Sequence, residues 1–241
     1  MSETKKELLP VYQSRPVCWI LAYCGGFMEA FTYILHGKVF CNAATGNFAL
    51  MAIAFAQGAF KNGLYYLIPL AAYAAGVAVS EKLPASVRKL GIHWHTVFIF
   101  AEIVVMIVLG VLPAGLPDPF FTVPVTFVCA IQYNSFTKLQ GVPLSTTFCT
   151  NNLRQASKNL VAAISNKSRK SFNTALYYIS AIIFFFTGAL TGSLLIFKLQ
   201  GKAIFWAAIL LLGAFGVLLS SDLKLRKSAR NIAKKTESQN L

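Results

Sequence analysis

Two short polar motifs interrupt an otherwise apolar chain, and their residue types suit hydrogen bonding to a small solute. They are FCNAATGNFALMA at 40–52 and FCTNNLRQA at 148–156. Each places hydroxyl and amide side chains within three residues: Thr45, Gly46 and Asn47 in the first motif, and Thr150, Asn151 and Asn152 in the second. Such groups donate and accept hydrogen bonds, but a hydroxyl becomes a nucleophile only beside a base. The motifs therefore favour solute binding over covalent catalysis.

Three charged side chains fall inside or directly beside apolar sequence: Glu29, Glu102 and Arg154. A charge at the centre of a bilayer costs about 2.5–3.5 kcal/mol on insertion scales, so each is a candidate functional residue. Tyr33 follows Glu29 by one helical turn and shares its helix face. The alternative is a buried pair between a glutamate and Arg154 that only fixes helix packing.

The sequence offers no pattern typical of a metal site or a nucleophile. The five cysteines are odd in number and contain no CxxC pair, and no HExxH, P-loop or GxSxG motif occurs. Ser145, Thr146 and Thr147 form the one hydroxyl cluster that could serve a reaction. We therefore predict no metal and no cofactor, and we regard enzymatic activity as the less favoured interpretation.

The elements that position these residues are membrane helices. The chain has 241 residues, of which 56% are hydrophobic and 12% charged, and its mean hydropathy is +0.60. A membrane span needs about 20 mostly apolar residues. Six runs come close to that length: 17–35, 64–80, 96–112, 119–136, 175–197 and 203–220. The composition predicts an all-α membrane protein with several spans.

The distribution of charge orients these spans. The net charge of +14 lies mainly in the loops 81–95 and 165–171 and in the tail after Ser221, whereas the loop 113–119 carries no basic residue. Basic loops stay in the cytoplasm. Six spans with both polar motifs as re-entrant segments place the basic loops and both termini inside. Eight spans, with the motifs crossing the membrane, place 81–95 outside and remain the alternative.

The two motifs also belong to an internal repeat. MEAF at 28–31 matches YNSF at 133–136, and TGNF at 45–48 matches TNNL at 150–153, both at a shift of 105 positions. Three spans per half require the halves to be inverted, as in many transporters. We predict a cytoplasmic segment, a first repeat, an inverted second repeat and a basic cytoplasmic tail: 1–16, 17–112, 119–220 and 221–241.

Each motif is predicted to begin a half-helix near the middle of the membrane. Thr45, Gly46 and Asn47 would start a helix over 48–58, and Thr150, Asn151 and Asn152 would start one near Leu153. Backbone groups left free at this depth are tolerated only inside protein or along a wet cavity. The two helix N-termini would also supply a partial positive field that favours an anion.

The motif residues resemble the signatures of the YoaK-like family of uncharacterised bacterial integral membrane proteins, a DUF family. The first signature matches Gly26, Glu29, Ala30, Tyr33, Gly37, Val39, Phe40, Thr45, Gly46 and Asn47, and the second matches Gln132, Asn134, Gly141, Thr146, Thr147, Thr150, Asn152 and Leu153. Glu29 stands where Asp is usual, and Asn151 stands where Gly is usual. The resemblance covers nearly the whole chain. It implies a six-span inner-membrane protein and supplies no substrate.

The combined interpretation is an inner-membrane transporter or channel for a small polar or anionic solute, with its site at the repeat interface near the midplane. The alternative is a membrane-embedded enzyme or a membrane assembly protein without transport activity. Expected partners are membrane lipid, the solute and a second copy of the chain, and not nucleic acid. The predicted binding residues are Glu29, Tyr33, Thr45, Gly46, Asn47, Gln132, Asn134, Thr147, Thr150, Asn151, Asn152 and Arg154.

Overall fold

The computed structural model describes residues 9–87 and 92–239, and only the backbone for 229, 230 and 232–239. The described chain is almost entirely helical. Its helices are α1 Arg15–Leu35, α2 Ala44–Ala56, α3 Phe60–Tyr65, α4 Leu67–Val87, α5 Trp94–Val111, α6 Pro119–Ser135, α7 Cys149–Ser165, α8 Arg169–Leu199 and α9 Ile204–Gln239. A small antiparallel hairpin joins β1, Lys138–Leu139, to β2, Val142–Pro143.

The six apolar runs correspond to the long helices α1, α4, α5, α6, α8 and α9. Among the residues that the structure describes, four stretches are long and apolar enough to cross a membrane: Arg15–Leu35, Phe60–Val87, Trp94–Val111 and Arg169–Ser228. The last stretch contains α8 and most of the apolar part of α9. Large apolar side chains lie exposed on these helices, for example Phe186 and Leu212, as expected when the surroundings are lipid. The prediction of an all-α membrane protein is confirmed at this level.

The predicted starts of the two short helices are wrong by several residues. The first begins at Ala44 rather than after Asn47, and the second begins at Cys149 rather than near Leu153. Neither has a side-chain N-cap. The motif asparagines lie inside the first helical turns because their amides bond to the preceding loop instead of capping the helix, as described below.

Two pairs of helices pack side by side in the same direction. Trp19 of α1 donates to Ser180 of α8, and further along the pair, a Cβ on Gly192 would lie 3.0 Å from the Phe27 ring. In the second pair, Gly76 of α4 faces Phe127 of α6, and Asn134 further along α6 donates to Ser80. Both pairs are therefore parallel.

Close approach within the α1–α8 pair depends on glycine. A Cβ on Gly26 would overlap the carbonyl of Phe185, and a Cβ on Gly188 would overlap the carbonyl of Tyr23. Small residues at such points let helix backbones meet, and dispersion contacts then hold the pair together in lipid. This contact fixes α8 against the segment of α1 that carries Glu29.

The helices α1 and α6 are neighbours that run in opposite directions. At one end, His36 after α1 contacts Asp118 before α6. At the other end, the side chain of Gln13 before α1 accepts a hydrogen bond from the backbone of Gly141 after α6. The helices α1 and α6 thus pack in antiparallel orientation.

Part of the charge used to predict orientation falls outside the described residues. This applies to Lys5, Lys6, Arg88 and Lys89, and to the side chains of Arg230, Lys234 and Lys235. Helix α9 continues into the predicted basic tail and ends at Gln239.

Candidate functional site

The asparagines of the two motifs make the same unusual contact. The side chain of Asn47 accepts a hydrogen bond from the backbone N–H of Phe40 at 3.0 Å and donates to the backbone carbonyl of the same residue at 2.7 Å. Asn152 makes the equivalent pair with Ser145, at 3.3 Å and 2.6 Å. In both cases the partner lies seven residues earlier. Each amide therefore acts like a neighbouring strand and closes the loop over the start of its helix.

This asparagine clamp explains how irregular backbone survives inside an apolar bundle. Asn47 and Asn152 are each 2% exposed, and a buried backbone group without a partner costs about 1–3 kcal/mol. The clamp satisfies one N–H and one C=O in each loop. In the second loop, Ser145 also accepts bonds from the backbone of Thr147 and Phe148.

The first loop reaches the middle of α1 and bonds to Glu29. The Glu29 carboxylate accepts hydrogen bonds from the backbone N–H of Asn42 at 2.8 Å and from the thiol of Cys41 at 3.2 Å. The Asn42 side chain donates to the carbonyl of Gly25 at 3.0 Å. Glu29 is thus the anchor of this loop, in addition to any role towards a solute.

The second loop reaches the same level of α1, at Gly25. A Cβ added there would lie 3.0 Å from Thr147 Cγ2 and 3.8 Å from Gln132 Nε2. Gln132 donates to the Thr146 hydroxyl at 3.0 Å and to the Leu21 carbonyl at 3.2 Å. Gly25 is therefore the point at which both loops and α6 meet α1.

Three buried oxygens around this point have no hydrogen-bond partner within the described residues: Asn42 Oδ1, Gln132 Oε1 and Thr147 Oγ1. Their residues are 0–4% exposed. The side-chain nitrogens of Asn42 and Gln132 each donate to a backbone carbonyl, and these bonds fix which end of each amide is nitrogen and which is oxygen. The two carbonyl oxygens can only accept a hydrogen bond or coordinate a cation. Buried polar atoms without partners need an explanation, and a bound solute or water would provide one.

Several predicted binding residues lie away from Gly25. Tyr33 stacks on Phe40 at 4.7 Å, and Gly46 faces the same ring. Thr45 is exposed. Asn134 donates to Ser80 and Glu81 near the end of α4.

The polar residues of α7 are also separate from the buried oxygens. Thr150, Asn151 and Arg154 are exposed, and Arg154 donates to Asn151 at 3.2 Å. Glu29 bonds to the first loop instead, so the alternative of a Glu29–Arg154 pair does not describe this structure. Glu102 is fully buried on α5, and neither carboxylate oxygen has a partner in the described part of the chain.

Sequence reasoning missed two members of the cluster as binding residues, Gly25 and Asn42. The Gly25–Gly26 pair was a signal that helices approach α1 closely here, but only the contact partners show that Gly25 faces the loops. Asn42 belongs to the quoted motif, yet its distance from Thr45 gave no reason to rank it above its neighbours.

The two loops are held by different residues at the ends that lie away from Gly25. His36 lies 3.4 Å from Asp118 and stacks on Phe121, whereas Gln13 holds Gly141 without any ionisable group. Burial lowers the pKa of His36 from its ordinary value, although the nearby Asp118 opposes this. The first loop is thus tied to its helix end by a titratable residue.

Comparison with known proteins gives a family but no characterised relative. Residues 17–218 match the family described as "Protein of unknown function (DUF1275)". No curated protein and no solved structure matches the chain. The match spans all six long apolar runs and both motifs, in agreement with the resemblance noted in the sequence. The chain is therefore a member of the DUF1275 family.

Proposed function

We propose that the protein is a membrane transporter or channel for a small polar solute, with the binding site around Gly25. The observation that carries the proposal is the group of unpaired buried oxygens on Asn42, Gln132 and Thr147. They lie where two irregular loops meet mid-helix, which is where transporters with broken helices bind their substrates.

The contacts support re-entrant loops. Gly37 lies against Tyr65, at the start of the next long helix, so the segment between them begins and ends at one end of the bundle. Within it, Asn42 reaches Gly25, ten positions into α1. The second segment starts at Gly141 beside Gln13 and leads into α8, whose Tyr177 accepts a bond from Arg15. It therefore also returns to the end from which it came.

The helix directions support an inverted repeat. If the first half of the chain is exchanged with the second, α1 takes the place of α6 and α8 takes the place of α4. The parallel pair of α1 and α8 then corresponds to the parallel pair of α6 and α4. Because α1 and α6 are antiparallel, the exchange turns each half upside down. The proposed fold is six spans and two re-entrant half-helices in an inverted 3+3 repeat.

The charges support a cytoplasmic location for both termini. Pro10, Tyr12, Glu81 and Pro84 line one cavity, so the loop after α4 lies beside the N-terminal segment. Lys82 follows Glu81. At this same end, Lys167 precedes α8, and Arg169 and Lys170 are its first residues. At the opposite end, Lys38 and Lys61 lie beside Asp118, and these two residues together with Lys198 and Lys202 are exceptions to this distribution. The positive-inside rule then indicates the cytoplasmic face of a bacterial inner membrane.

The chemistry of the oxygens narrows the solute class. Asn42 Oδ1 and Gln132 Oε1 are acceptors, and the carboxylate of Glu29 lies beside Asn42. Arg154, which would favour an anion, is exposed on α7. We therefore expect a small solute that donates hydrogen bonds, such as a neutral amide or polyol, rather than an anion.

Transport is tested with purified protein in liposomes. Stopped-flow light scattering should reveal protein-dependent permeation of at least one of urea, formamide, glycerol or ammonium. Thr147→Val removes an unpaired hydroxyl and keeps the side-chain shape, so it should preserve stability yet reduce permeation at least tenfold.

Thr126→Val is the matched control, because Thr126 is a buried α6 hydroxyl that also has no partner in the described residues. It should leave permeation unchanged. Equal effects of the two variants, or permeation no faster than in empty liposomes, would contradict the proposal.

Topology is tested by labelling single cysteines in a cysteine-free background. A cysteine at Leu116 should react from the outside, whereas cysteines at Ser86 and Ser168 should react only after permeabilisation. Labelling of Ser86 from the outside would favour eight spans.

A further inference from the structure

Three sulfur atoms meet in the interior, next to the first loop. The Cys129 thiol on α6 lies 3.6 Å from Cys41 Sγ and 3.8 Å from Met28 Sδ on α1. All three side chains are 0–1% exposed. The loop, α1 and α6 each contribute one sulfur, so the cluster exists only because the chain folds back on itself here.

The spacing of the sulfurs suits a metal ion with three ligands. With metal–sulfur bonds of about 2.3 Å, a trigonal ion holds its sulfurs about 4 Å apart. The two observed separations are within a few tenths of an ångström of this value.

The ligand types select the ion. Thiolate and thioether ligands favour soft ions, Cu(I) in particular, over Mg²⁺, Ca²⁺ and Mn²⁺, which prefer oxygen. Structural Zn²⁺ takes four ligands from Cys, His, Asp and Glu, and within the described residues no three or more such side chains form a metal-binding group. A thioether in the third position therefore indicates a monovalent soft ion rather than zinc.

We propose that Met28, Cys41 and Cys129 form a binding site for one Cu(I) ion. The proposal differs from the sequence-based expectation of no metal, because residues 28, 41 and 129 show no metal-binding spacing along the chain. It does not depend on solute transport, since binding at this site is measured directly.

The proton and charge balance of Cu(I) binding can be written from the three ligands. Binding of Cu(I) removes the protons of two thiols, which leaves two thiolates, one thioether and one cation with a net charge of −1. The Cys41 thiol donates to the Glu29 carboxylate, and both thiol protons pass to water outside the bundle as the cation enters. The backbone N–H groups at the start of α2, three residues after Cys41, supply a partial positive field for the remaining charge.

The buried side-chain amide of Asn42 lies beside the sulfur cluster. The amide of Asn42 lies 3.4 Å from Cys41 Sγ through its nitrogen, and its oxygen has no partner among residues 9–87 and 92–239. The amide nitrogen already donates to Cys41 Sγ, so it would stabilise a thiolate there without reorienting.

The test is anaerobic competition for Cu(I) between the purified protein in detergent and the chromophoric chelator bicinchoninate. Wild type should bind one Cu(I) per chain, with ultraviolet absorption typical of a Cu(I)–thiolate bond. Cys41→Ser and Cys129→Ser should each weaken binding at least 100-fold, and Met28→Leu about tenfold. Affinity should fall at least about tenfold per unit of decreasing pH, since protons compete for the thiolates.

Cys149→Ser is the control, because Cys149 is the cysteine that is not fully buried. It should bind as wild type does. Absence of stoichiometric binding in wild type would overturn the proposal. So would loss of binding in Cys149→Ser with retention in Cys41→Ser and Cys129→Ser, because an accessible thiol would then be the ligand.

If a cysteine variant fails to fold, the ligands can be identified in the wild-type protein instead. X-ray absorption at the copper edge is measured on wild type that has bound Cu(I). Three sulfur neighbours are expected. Two sulfurs, or nitrogen and oxygen neighbours, would contradict the site.

Discussion

The short helices α2 and α7 have equivalent inner contacts and contrasting outer faces. Each begins after a loop that is closed by an asparagine bonded to the backbone seven residues earlier. Four exposed positions correspond at a shift of 105, and they pair Phe48 with Leu153, Ala49 with Arg154, Ala52 with Ser157 and Ile53 with Lys158. The outer face is apolar on α2, whereas on α7 three of the four positions are polar or charged.

The difference separates two requirements on a short helix that begins inside the bundle. The inner contacts must satisfy the backbone groups of the buried loop, and this requirement is the same for α2 and α7. The outer face only has to match what surrounds it. We infer that α2 faces lipid tails, while α7 faces a polar phase, where Arg154 and Lys158 can reach water or anionic headgroups.

Removal of the asparagine clamps is the change with the largest expected effect. Asn47→Ala or Asn152→Ala leaves one backbone N–H and one C=O without this partner, at about 1–3 kcal/mol each. We expect both variants to lower the free energy of unfolding by several kcal/mol, measured by denaturing-detergent titration in mixed micelles. Thr45→Ala and Asn151→Ala, exposed neighbours of the clamps, should stay within about 0.5 kcal/mol of wild type.

A clamp variant as stable as its exposed neighbour would show that the loop does not need the amide. A large effect in one half and none in the other would break the equivalence of α2 and α7.

Exchange of the outer residues tests the second requirement. Ile53→Lys places a charge on the face of α2 that is expected to meet lipid, at a cost of up to about 2.5–3.5 kcal/mol. Lys158→Ile on α7 should change the free energy of unfolding by less than 1 kcal/mol. Both are compared with wild type in bicelles, and similar effects on the two helices would mean that their outer faces meet the same environment.

A smaller effect is expected from pH, and only on the first loop. Burial lowers the pKa of His36, so its neutral form is the one that the fold favours. The stabilising contribution is complete above the ordinary histidine value of about 6.5 and is lost as pH falls through the lower folded value.

Amide hydrogen exchange over 37–43 should therefore rise between pH 7.5 and pH 5 relative to 138–147, after correction for intrinsic rates. Gln13, which anchors the second loop, does not titrate. A His36→Gln variant should remove the difference, and an equal rise in both loops would rule out His36 as its source.

The sequence by itself determined the class of the protein and the location of its unusual segments. Six apolar runs predicted the long helices to within a few residues, except for α4, α8 and α9, which extend further into polar sequence. This works because burial in lipid is a property of a continuous stretch of residues. The repeated Thr and Asn residues likewise identified the two loops, since polar side chains inside apolar sequence are costly unless they form hydrogen bonds.

The partners of those residues were decided only by the tertiary structure. The sequence predicts Asn47 as a helix cap or a solute ligand, but in the structure its amide forms hydrogen bonds with the backbone of Phe40. The sequence predicts Arg154 as a charge inside the membrane protein, yet in the structure it lies on the exposed face of α7. Gly25, Asn42 and Thr147 come together because two loops enter from opposite ends and stop at one level of α1. The cluster of Met28, Cys41 and Cys129 arises in the same way. A pattern along the chain reports how each residue relates to its own helix, whereas a site depends on which helices meet and at what depth.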